Sequence, residues 1–214
     1  MPVVSIPILF RDEHLLVVDK PPRTLVVPAP GRSGRSLVDL LGRQLGQRVY
    51  AVHRLDEDVT GVLVLALDPT TRKAVESVFR EHQAKRIYLA LLGRAPDPAA
   101  GRIESRLRES GGIVRSVTSG AGQRAVTLFK TLRRVDRFTL VECELETGRR
   151  NQIRVHMADL GCPIVGDRKY GYRVRGGVSH PRPLLHAESV SFRHPVTDEE
   201  VSVQVEAPES DLRR

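Results

Sequence analysis

The sequence has no tryptophan and few other aromatic residues, with 4 tyrosines and 5 phenylalanines among 214 residues. Aliphatic side chains must therefore fill most of the core. Cysteine is also scarce: Cys143 and Cys162 are the only two, and their spacing matches neither a disulfide framework nor a zinc site. We predict two buried thiols and no metal site.

Long apolar runs are missing as well, and none approaches the length needed to span a membrane. The first residues, MPVVSIPILFRDEH, carry no basic segment ahead of a short apolar stretch, which argues against a signal peptide. We therefore expect a cytoplasmic protein that makes no membrane contact. A monomer is expected as well.

Acidic residues are outnumbered, because 34 lysines and arginines face 26 aspartates and glutamates and leave a formal charge of +8. Only 5 of the basic residues are lysines. Such a surplus favours a polyanionic partner, with nucleic acid ahead of a membrane surface. The alternative is a solvated basic surface with no polyanionic partner.

The hydrophobic pattern predicts many strands and few helices. Ser36 and Gly46 bracket one helical segment, an amphipathic segment follows Asp68, and a third helix is predicted around Ile153. Strands follow strands without regular β-α alternation, which favours an α+β fold with a mostly antiparallel sheet over a Rossmann fold. The glycine-rich segments GRSGRS and SGAGQR lack the pattern of a phosphate-binding loop. We expect one domain over residues 1–214.

The segment HRLDEDVTG places charged side chains directly before a buried strand. A loop between two rigid strands can hold a carboxylate such as Asp56 in a cleft. From spacing alone a simple polar turn, in which Asp56 or Asp58 caps backbone donors, is the favoured interpretation.

Two further segments carry candidate functional residues. Arg149, Arg150 and Arg154 are predicted to open the third helix, where an arginine beside a buried face needs a carboxylate or phosphate partner. An exposed arginine lying over apolar neighbours is the commoner alternative. Tyr88 lies in a strand beside Lys85 and Arg86, where it is either a packing residue or a base-stacking residue.

Together these segments resemble the RluA family of RNA pseudouridine synthases. The family pattern H-R-L-D-x-x-T-S-G, K-x-Y-x-A, T-G-R-x-x-Q-I-R-V-H, G-x-P-I-x-G-D-x-x-Y-G and L-H-A…F-x-H-P matches HRLDEDVTG, KRIYLA, TGRRNQIRVH, GCPIVGDRKYG and LLHAESVSFRHP in order. The resemblance implies the pseudouridine synthase fold, a large mixed and mostly antiparallel sheet flanked by helices and loops around a central cleft. Val59 and Asn151 stand where the family commonly has Thr and His, and these departures concern substrate contacts more than chemistry.

The resemblance also implies roles for individual residues. Asp56 is the expected catalytic aspartate, Arg154 its ion-pair partner, and Tyr88 the residue against the target uracil. The residues expected to contact RNA are His53, Arg54, Thr60, Arg149, Arg150, Arg173 and Arg175. The residues expected to wall the uracil pocket are Ile153, Val165 and Leu185.

The implied reaction isomerises specific uridines of structured RNA, in a stem-loop of tRNA or rRNA, to pseudouridine. No atom is gained or lost, so no cofactor is expected. Two other functions fit parts of the sequence. An N-glycoside hydrolase acting on RNA would need a second carboxyl group, for which Glu57, Asp58 or Asp167 is available, and would release free uracil. A non-catalytic RNA-binding protein would keep the fold and the basic surface, and changing Asp56 would alter no RNA modification.

Overall fold

The computed structural model describes residues 5–31, 34–174 and 180–208, and it confirms the predicted α+β class. The cores are mostly aliphatic, and both cysteines are buried and free, as predicted. No helix in these segments is both long and apolar enough to cross a membrane.

In chain order the elements are β1 (Ile8–Arg11), β2 (Leu15–Lys20), α1 (Leu37–Leu45), β3 (Tyr50–Ala51), β4 (Thr60–Ala66), α2 (Pro69–Arg80), β5 (Lys85–Leu92), β6 (Ala100–Ser110), β7 (Ile113–Val117), β8 (Gln123–Val135), β9 (Phe138–Leu145), α3 (Gln152–Asp159), a 3-10 helix (Arg168–Tyr170), β10 (Leu185–Arg193) and β11 (Glu200–Gln204).

The chain divides into two compact units. Unit 1 comprises residues 1–84 and 187–206, and its strands lie in the order β1-β2-β4-β10-β11, with β3 also pairing with β4. The apolar face of α2, including Val75 and Phe79, packs with strand residues such as Val62, Val64 and Phe192. The prediction of one domain over the whole chain stays a prediction.

Local sequence signals explain both helices of unit 1. Ser36 caps α1 in a capping box with Asp39, and Gly46 ends the helix in the left-handed conformation at φ 67°. Asp68 caps α2 by accepting hydrogen bonds from the backbone N–H groups of Thr70 and Thr71. The predicted starts of both helices are thereby confirmed.

Unit 2 comprises residues 85–186 and 207–214, with strand order β5-β9-β8-β6-β7 and antiparallel pairing throughout. Val155 of α3 packs with Leu107, Val114 and Ala125 on the sheet. The helix begins later than predicted. Arg149 and Arg150 precede it, because the chain turns at residue 151, which has a φ of 55°.

His156 lies in the core of unit 2, fully buried in α3. Its Nδ1 is 2.9 Å from Thr127 Oγ1 and its Nε2 is 3.0 Å from Ser105 Oγ. Burial lowers the pKa of His156 to about 4, compared with 6.5 for a histidine that is exposed to solvent. The neutral ring is therefore the form that the fold stabilises.

This shift predicts a pH-dependent stability. Between about pH 6.5 and 4 the unfolded chain binds the proton and the folded chain does not, so the free energy of unfolding falls as pH is lowered through that window. The loss due to His156 approaches about 3 kcal/mol at the acid end. Denaturant unfolding at several pH values should show a shallower pH dependence for His156→Gln than for the unchanged protein. Equal slopes would contradict the prediction.

Candidate functional site

The Asp56 loop, residues 53–59, is held by a lysine with a fully buried side chain. Lys20, at the end of β2, donates from Nζ to the carbonyl oxygens of Pro21, Glu57 and Val59, each at 2.9 Å. A buried ammonium group is costly unless its donors are satisfied, and these carbonyl dipoles satisfy it. Lys20 thus fixes the backbone on the C-terminal side of Asp56.

His53 fixes the other end of this loop. Its ring stacks on Phe79 of α2 with centroids 4.4 Å apart, and its Nε2 accepts a hydrogen bond from the backbone N–H of Val64 at 3.1 Å. These contacts are internal to unit 1. The predicted RNA contact of His53 stays a prediction.

The end of the loop requires a glycine at position 61. Gly61 has a φ of 106°, and a Cβ there would lie 2.1 Å from the carbonyl oxygen of Ala187 on β10. Only glycine permits both this backbone conformation and this close approach. Thr60 and Gly61, the TG of the motif HRLDEDVTG, therefore hold the end of the loop against β10. The side chain of Thr60 is buried.

Between these anchors the side chains differ in exposure. Arg54 is exposed, and Asp56, Glu57 and Asp58 are half-buried. The carbonyl oxygen of Asp56 accepts from the N–H of Val59 at 3.1 Å, which closes a tight turn. Val59 is 2% exposed, so this departure from the family pattern places an apolar group in the core.

In unit 2, Tyr88 lies on β5 with 8% of its surface exposed. Arg86, two residues earlier on the same face of the strand, is 7% exposed and donates to the carbonyl oxygen of Leu145 at 3.3 Å. Burial lowers the pKa of the Arg86 guanidinium, and the neighbouring Tyr88 hydroxyl opposes that shift. Tyr88 and Arg86 thus place a phenol and a buried cation side by side on one face of β5.

The turn before α3 is built on two buried polar residues. Gln152 accepts at Oε1 from the Thr147 hydroxyl at 2.7 Å, and its Nε2 donates to Val126 O and Thr127 Oγ1, both at 2.9 Å. The N–H of Val126 donates to Thr147 Oγ1 at 2.8 Å. The T and Q of the TGRRNQ motif thus join the turn to β8 and position the residues that follow.

Arg154 has a carboxylate partner that the sequence did not identify. Its Nε and one terminal nitrogen donate to the two oxygens of Asp167 at 2.7 and 2.9 Å, and the other terminal nitrogen donates to Asn151 Oδ1 at 3.1 Å. Asp167 is 1% exposed. The expectation that Arg154 has a carboxylate partner is correct, and its pairing with Asp56 stays a prediction.

Tyr170 completes this cluster. The Arg154 guanidinium lies 5.0 Å from the centroid of the Tyr170 ring, and the Tyr170 hydroxyl accepts from Asn151 Nδ2 at 2.8 Å. Asn151 has a φ of 55°, a conformation that asparagine tolerates better than most residues. The asparagine in place of the family's histidine therefore fits the turn and links Arg154 to Tyr170.

The remaining residues that were predicted to contact RNA or to line the uracil pocket lie in two kinds of environment. Arg149 donates to Arg124 O at 3.1 Å, Arg150 pairs with Glu109, and Arg173 is exposed. Arg175 lies outside the described residues. The three predicted wall residues are all buried, namely Ile153, Val165 and Leu185.

Sequence reasoning did not predict the positions that three residues hold in the candidate site: Lys20 and Gln152 were not considered, and Asp167 was considered only as a second carboxyl group for a hydrolase. The buried location of a lysine gives no local signal, although Lys20 does end an apolar strand before two prolines. Gln152 lies in the motif TGRRNQIRVH and Asp167 in the motif GCPIVGDRKYG, and these positions were the only available signal. Among the described residues, no group of three or more His, Cys, Asp or Glu side chains is placed to hold a metal ion.

Comparison with known proteins gives a consistent result over most of the chain. A family profile described as RNA pseudouridylate synthase matches residues 14–159. A ribosomal large subunit pseudouridine synthase D of Zymomonas mobilis is 33% identical over 96% of this chain and 70% of the relative. The corresponding enzyme of Xylella fastidiosa is 36% identical over 96% of this chain and 67% of the relative.

Solved structures agree with the sequence comparison. Human RNA pseudouridylate synthase domain containing 4 superimposes with a TM-score of 0.79 at 28% identity, covering 96% of this chain and 90% of that one. Human RNA pseudouridylate synthase domain containing 1 gives a TM-score of 0.81 at 24% identity, covering 97% and 86%, and supports the fold alone.

Proposed function

Because the chain belongs to the RNA pseudouridylate synthase family, and so isomerises uridine in RNA, we propose that Asp56 is the carboxylate that carries the reaction. The observation that carries this proposal is the loop of Asp56, which lies inside the matched region and is anchored by Lys20 and His53. A carboxylate that must meet one ribose carbon needs such a fixed backbone.

The reaction breaks the bond from uracil N1 to ribose C1′ and forms a bond from C5 to the same C1′. The proton on C5 leaves and N1 gains a proton, so the RNA keeps its mass. Asp56 either adds to C1′ or removes a ribose proton to give a glycal, and both routes require an ionised carboxylate. The uracil must leave the RNA stack, which costs a few kcal/mol.

Tyr88 and Arg154 are proposed to act on the same uridine. Tyr88 is proposed to lie against the uracil ring, since it presents an aromatic face from a rigid strand, and it is the candidate to remove the C5 proton. Arg154 is held rigidly by Asp167, so its guanidinium is a positioned charge and not a mobile one.

The proposed substrate is a stem-loop of structured RNA, either rRNA or tRNA. The names of several relatives specify the large ribosomal subunit, which puts rRNA first. Arg149, Arg150, Arg173 and Arg175 are proposed to contact phosphates, in keeping with the charge of +8. Arg54 is proposed to fill the space that the flipped uridine leaves in the RNA. The monomeric state and the cytoplasmic location stay predictions.

Pseudouridine mapping tests the proposed function directly. Total rRNA and tRNA from cells with and without this protein should differ at one or a few uridines, which are isomerised only when the protein is present. Identical maps would overturn the proposal. The appearance of free uracil or abasic sites would favour the hydrolase alternative instead.

Replacement of Arg154 by Lys should lower kcat more than RNA affinity. Lysine keeps the positive charge but cannot make the bidentate contact with Asp167. We expect the charge at position 154 to be displaced by about 1 Å, and such a displacement can lower a rate about 10²-fold. Single-turnover rates and RNA dissociation constants give the two quantities. Arg102→Lys is the control, since Arg102 has no assigned role and its contacts with Glu104 and Glu146 are exposed. An affinity loss as large as the rate loss would show that Arg154 binds RNA and does not position the reacting groups.

A further inference from the structure

A groove in unit 1, lined by α1, β3 and α2, collects four arginines. Its volume is about 650 Å³, and Arg35, Arg43, Arg48 and Arg72 line it together with one carboxylate, Asp39. All four arginines are exposed. Guanidinium groups gathered around one concave surface repel each other and attract polyanions. We call this feature the α1 groove.

The charges of the α1 groove are incompletely balanced. Asp39 is engaged at the start of α1, where it accepts from the Ser36 hydroxyl at 2.7 Å, and Arg72 pairs with Glu76 at 2.7 Å. In the described part of the chain, Arg35, Arg43 and Arg48 have no carboxylate within 4 Å. Hydrogen bonds from Ser36, and to a smaller extent the charges of Arg43 and Arg35, lower the pKa of Asp39. This one carboxylate faces four arginines, so the groove carries a net positive charge.

An aromatic side chain accompanies these charges. Tyr50 of β3 lines the groove half-buried, and the Arg48 guanidinium lies 5.0 Å from the centroid of its ring. Contact with the ring holds Arg48 in one place without neutralising its charge. Arg48 is thereby preorganised to bind an anion.

A second, smaller cavity shares Gly34 and Arg35 with the groove. Its volume is about 110 Å³, and its lining includes Arg23, Arg35 and Glu57, the residue that follows Asp56. Arg35 lines both cavities, and the N–H of Thr24 donates to the carbonyl oxygen of Glu57 at 3.1 Å. Arg35 therefore lies between the α1 groove and a cavity that is lined in part by the Asp56 loop.

The α1 groove is separate from the loop that carries Asp56. Tyr50 pairs with Ala66 at the far end of β4, whereas Thr60 begins β4 directly after the loop. Six residues of strand place the two ends roughly 20 Å apart at about 3.3 Å per residue. This span corresponds to roughly six steps of a duplex strand at about 3.4 Å each.

From these features we infer that the α1 groove binds the phosphate backbone of the substrate RNA several nucleotides away from the uridine that reacts. The inference rests on the proposed function for its ligand. An extended polyanion suits the site better than a small anion, because the arginines are exposed and are spread over the groove and the adjoining cavity. Such a contact adds affinity and register without taking part in the chemistry.

The double variant Arg43→Gln/Arg48→Gln tests this inference against the control Arg11→Gln/Arg80→Gln, which removes the same charge from exposed positions of unit 1 outside the groove. The probes are a transcript of a large-subunit rRNA domain and a short hairpin cut from it. For the long RNA, the groove variant should raise Kd about tenfold or more and lower the slope of log Kd against log salt by about 2. The short hairpin should bind both variants alike.

Turnover supplies a second readout. The groove variant should raise KM for the long RNA and leave kcat at saturating RNA unchanged, because its residues lie far from the reacting atoms. Equal losses of affinity in the groove and control variants would overturn the inference, as would a loss confined to kcat. Since RNA binding is measured without turnover, absence of pseudouridine formation would reject the proposed function and still leave the groove tested.

Discussion

Asp56→Asn should abolish pseudouridine formation while RNA binding survives. Asparagine has nearly the same shape as aspartate and no ionised carboxylate, so it can neither add to the ribose nor accept its proton. The loss of single-turnover rate should reach about 10⁴-fold or more, as for other residues that carry out the chemical step. RNA affinity should stay within a few-fold, because no phosphate contact is removed.

The neighbouring carboxylate provides a matched control. Asp58 lies in the same loop with similar exposure and has no assigned role, so Asp58→Asn should keep its rate within about threefold. Both variants should be compared by single-turnover kinetics on one RNA and by thermal unfolding. Near-normal turnover of Asp56→Asn, or equal damage by Asp58→Asn, would contradict the assignment of Asp56.

Lys20→Met should impair both stability and catalysis, although Lys20 is expected to contact no substrate. The change removes the lysine donor from three carbonyl oxygens. The Glu57 oxygen keeps its hydrogen bond from the Thr24 N–H, and each buried acceptor that is left unsatisfied costs about 1–3 kcal/mol. Two of these carbonyls belong to Glu57 and Val59, so the loop loses its anchor. A displacement of Asp56 by about 1 Å would lower kcat about 10²-fold.

Lys73→Met is the control for this change, because Lys73 is an exposed lysine on α2. Thermal unfolding gives the stability effect, and kcat measured well below the Tm of each variant separates positioning from unfolding. A Lys20 variant that matches the Lys73 variant in both Tm and kcat would show that the buried ammonium does not hold the loop.

Local sequence signals were sufficient for much of the fold. Ser36, Gly46 and Asp68 mark helix ends through backbone hydrogen bonds that depend on nearby residues only. The start of α3 was predicted too early because its turn depends on Gln152, whose partners on β8 are more than 20 residues away. Tertiary hydrogen bonds of this kind leave no periodic signal in the sequence.

In the candidate site, too, the sequence identified some residues, whereas the contacts that position them could be found only in the structure. The order of five motifs identified Asp56, Tyr88 and Arg154 as candidates through family resemblance, since spacing alone favoured a polar turn at Asp56. The partnership of Arg154 with Asp167 joins residues 13 positions apart through a fold-dependent contact. Lys20 acts on carbonyl oxygens up to 39 positions away, and backbone acceptors carry no sequence identity that could reveal the pairing.

Tritium release from uridine C5 tests the proposed reaction most directly. RNA transcripts of rRNA and tRNA, labelled with tritium at that carbon, are incubated with the purified protein and with Asp56→Asn. Tritium should pass to water with the unchanged protein alone, while the RNA keeps its length and no free uracil appears. Release of uracil, or tritium release by Asp56→Asn at the normal rate, would contradict isomerisation by Asp56.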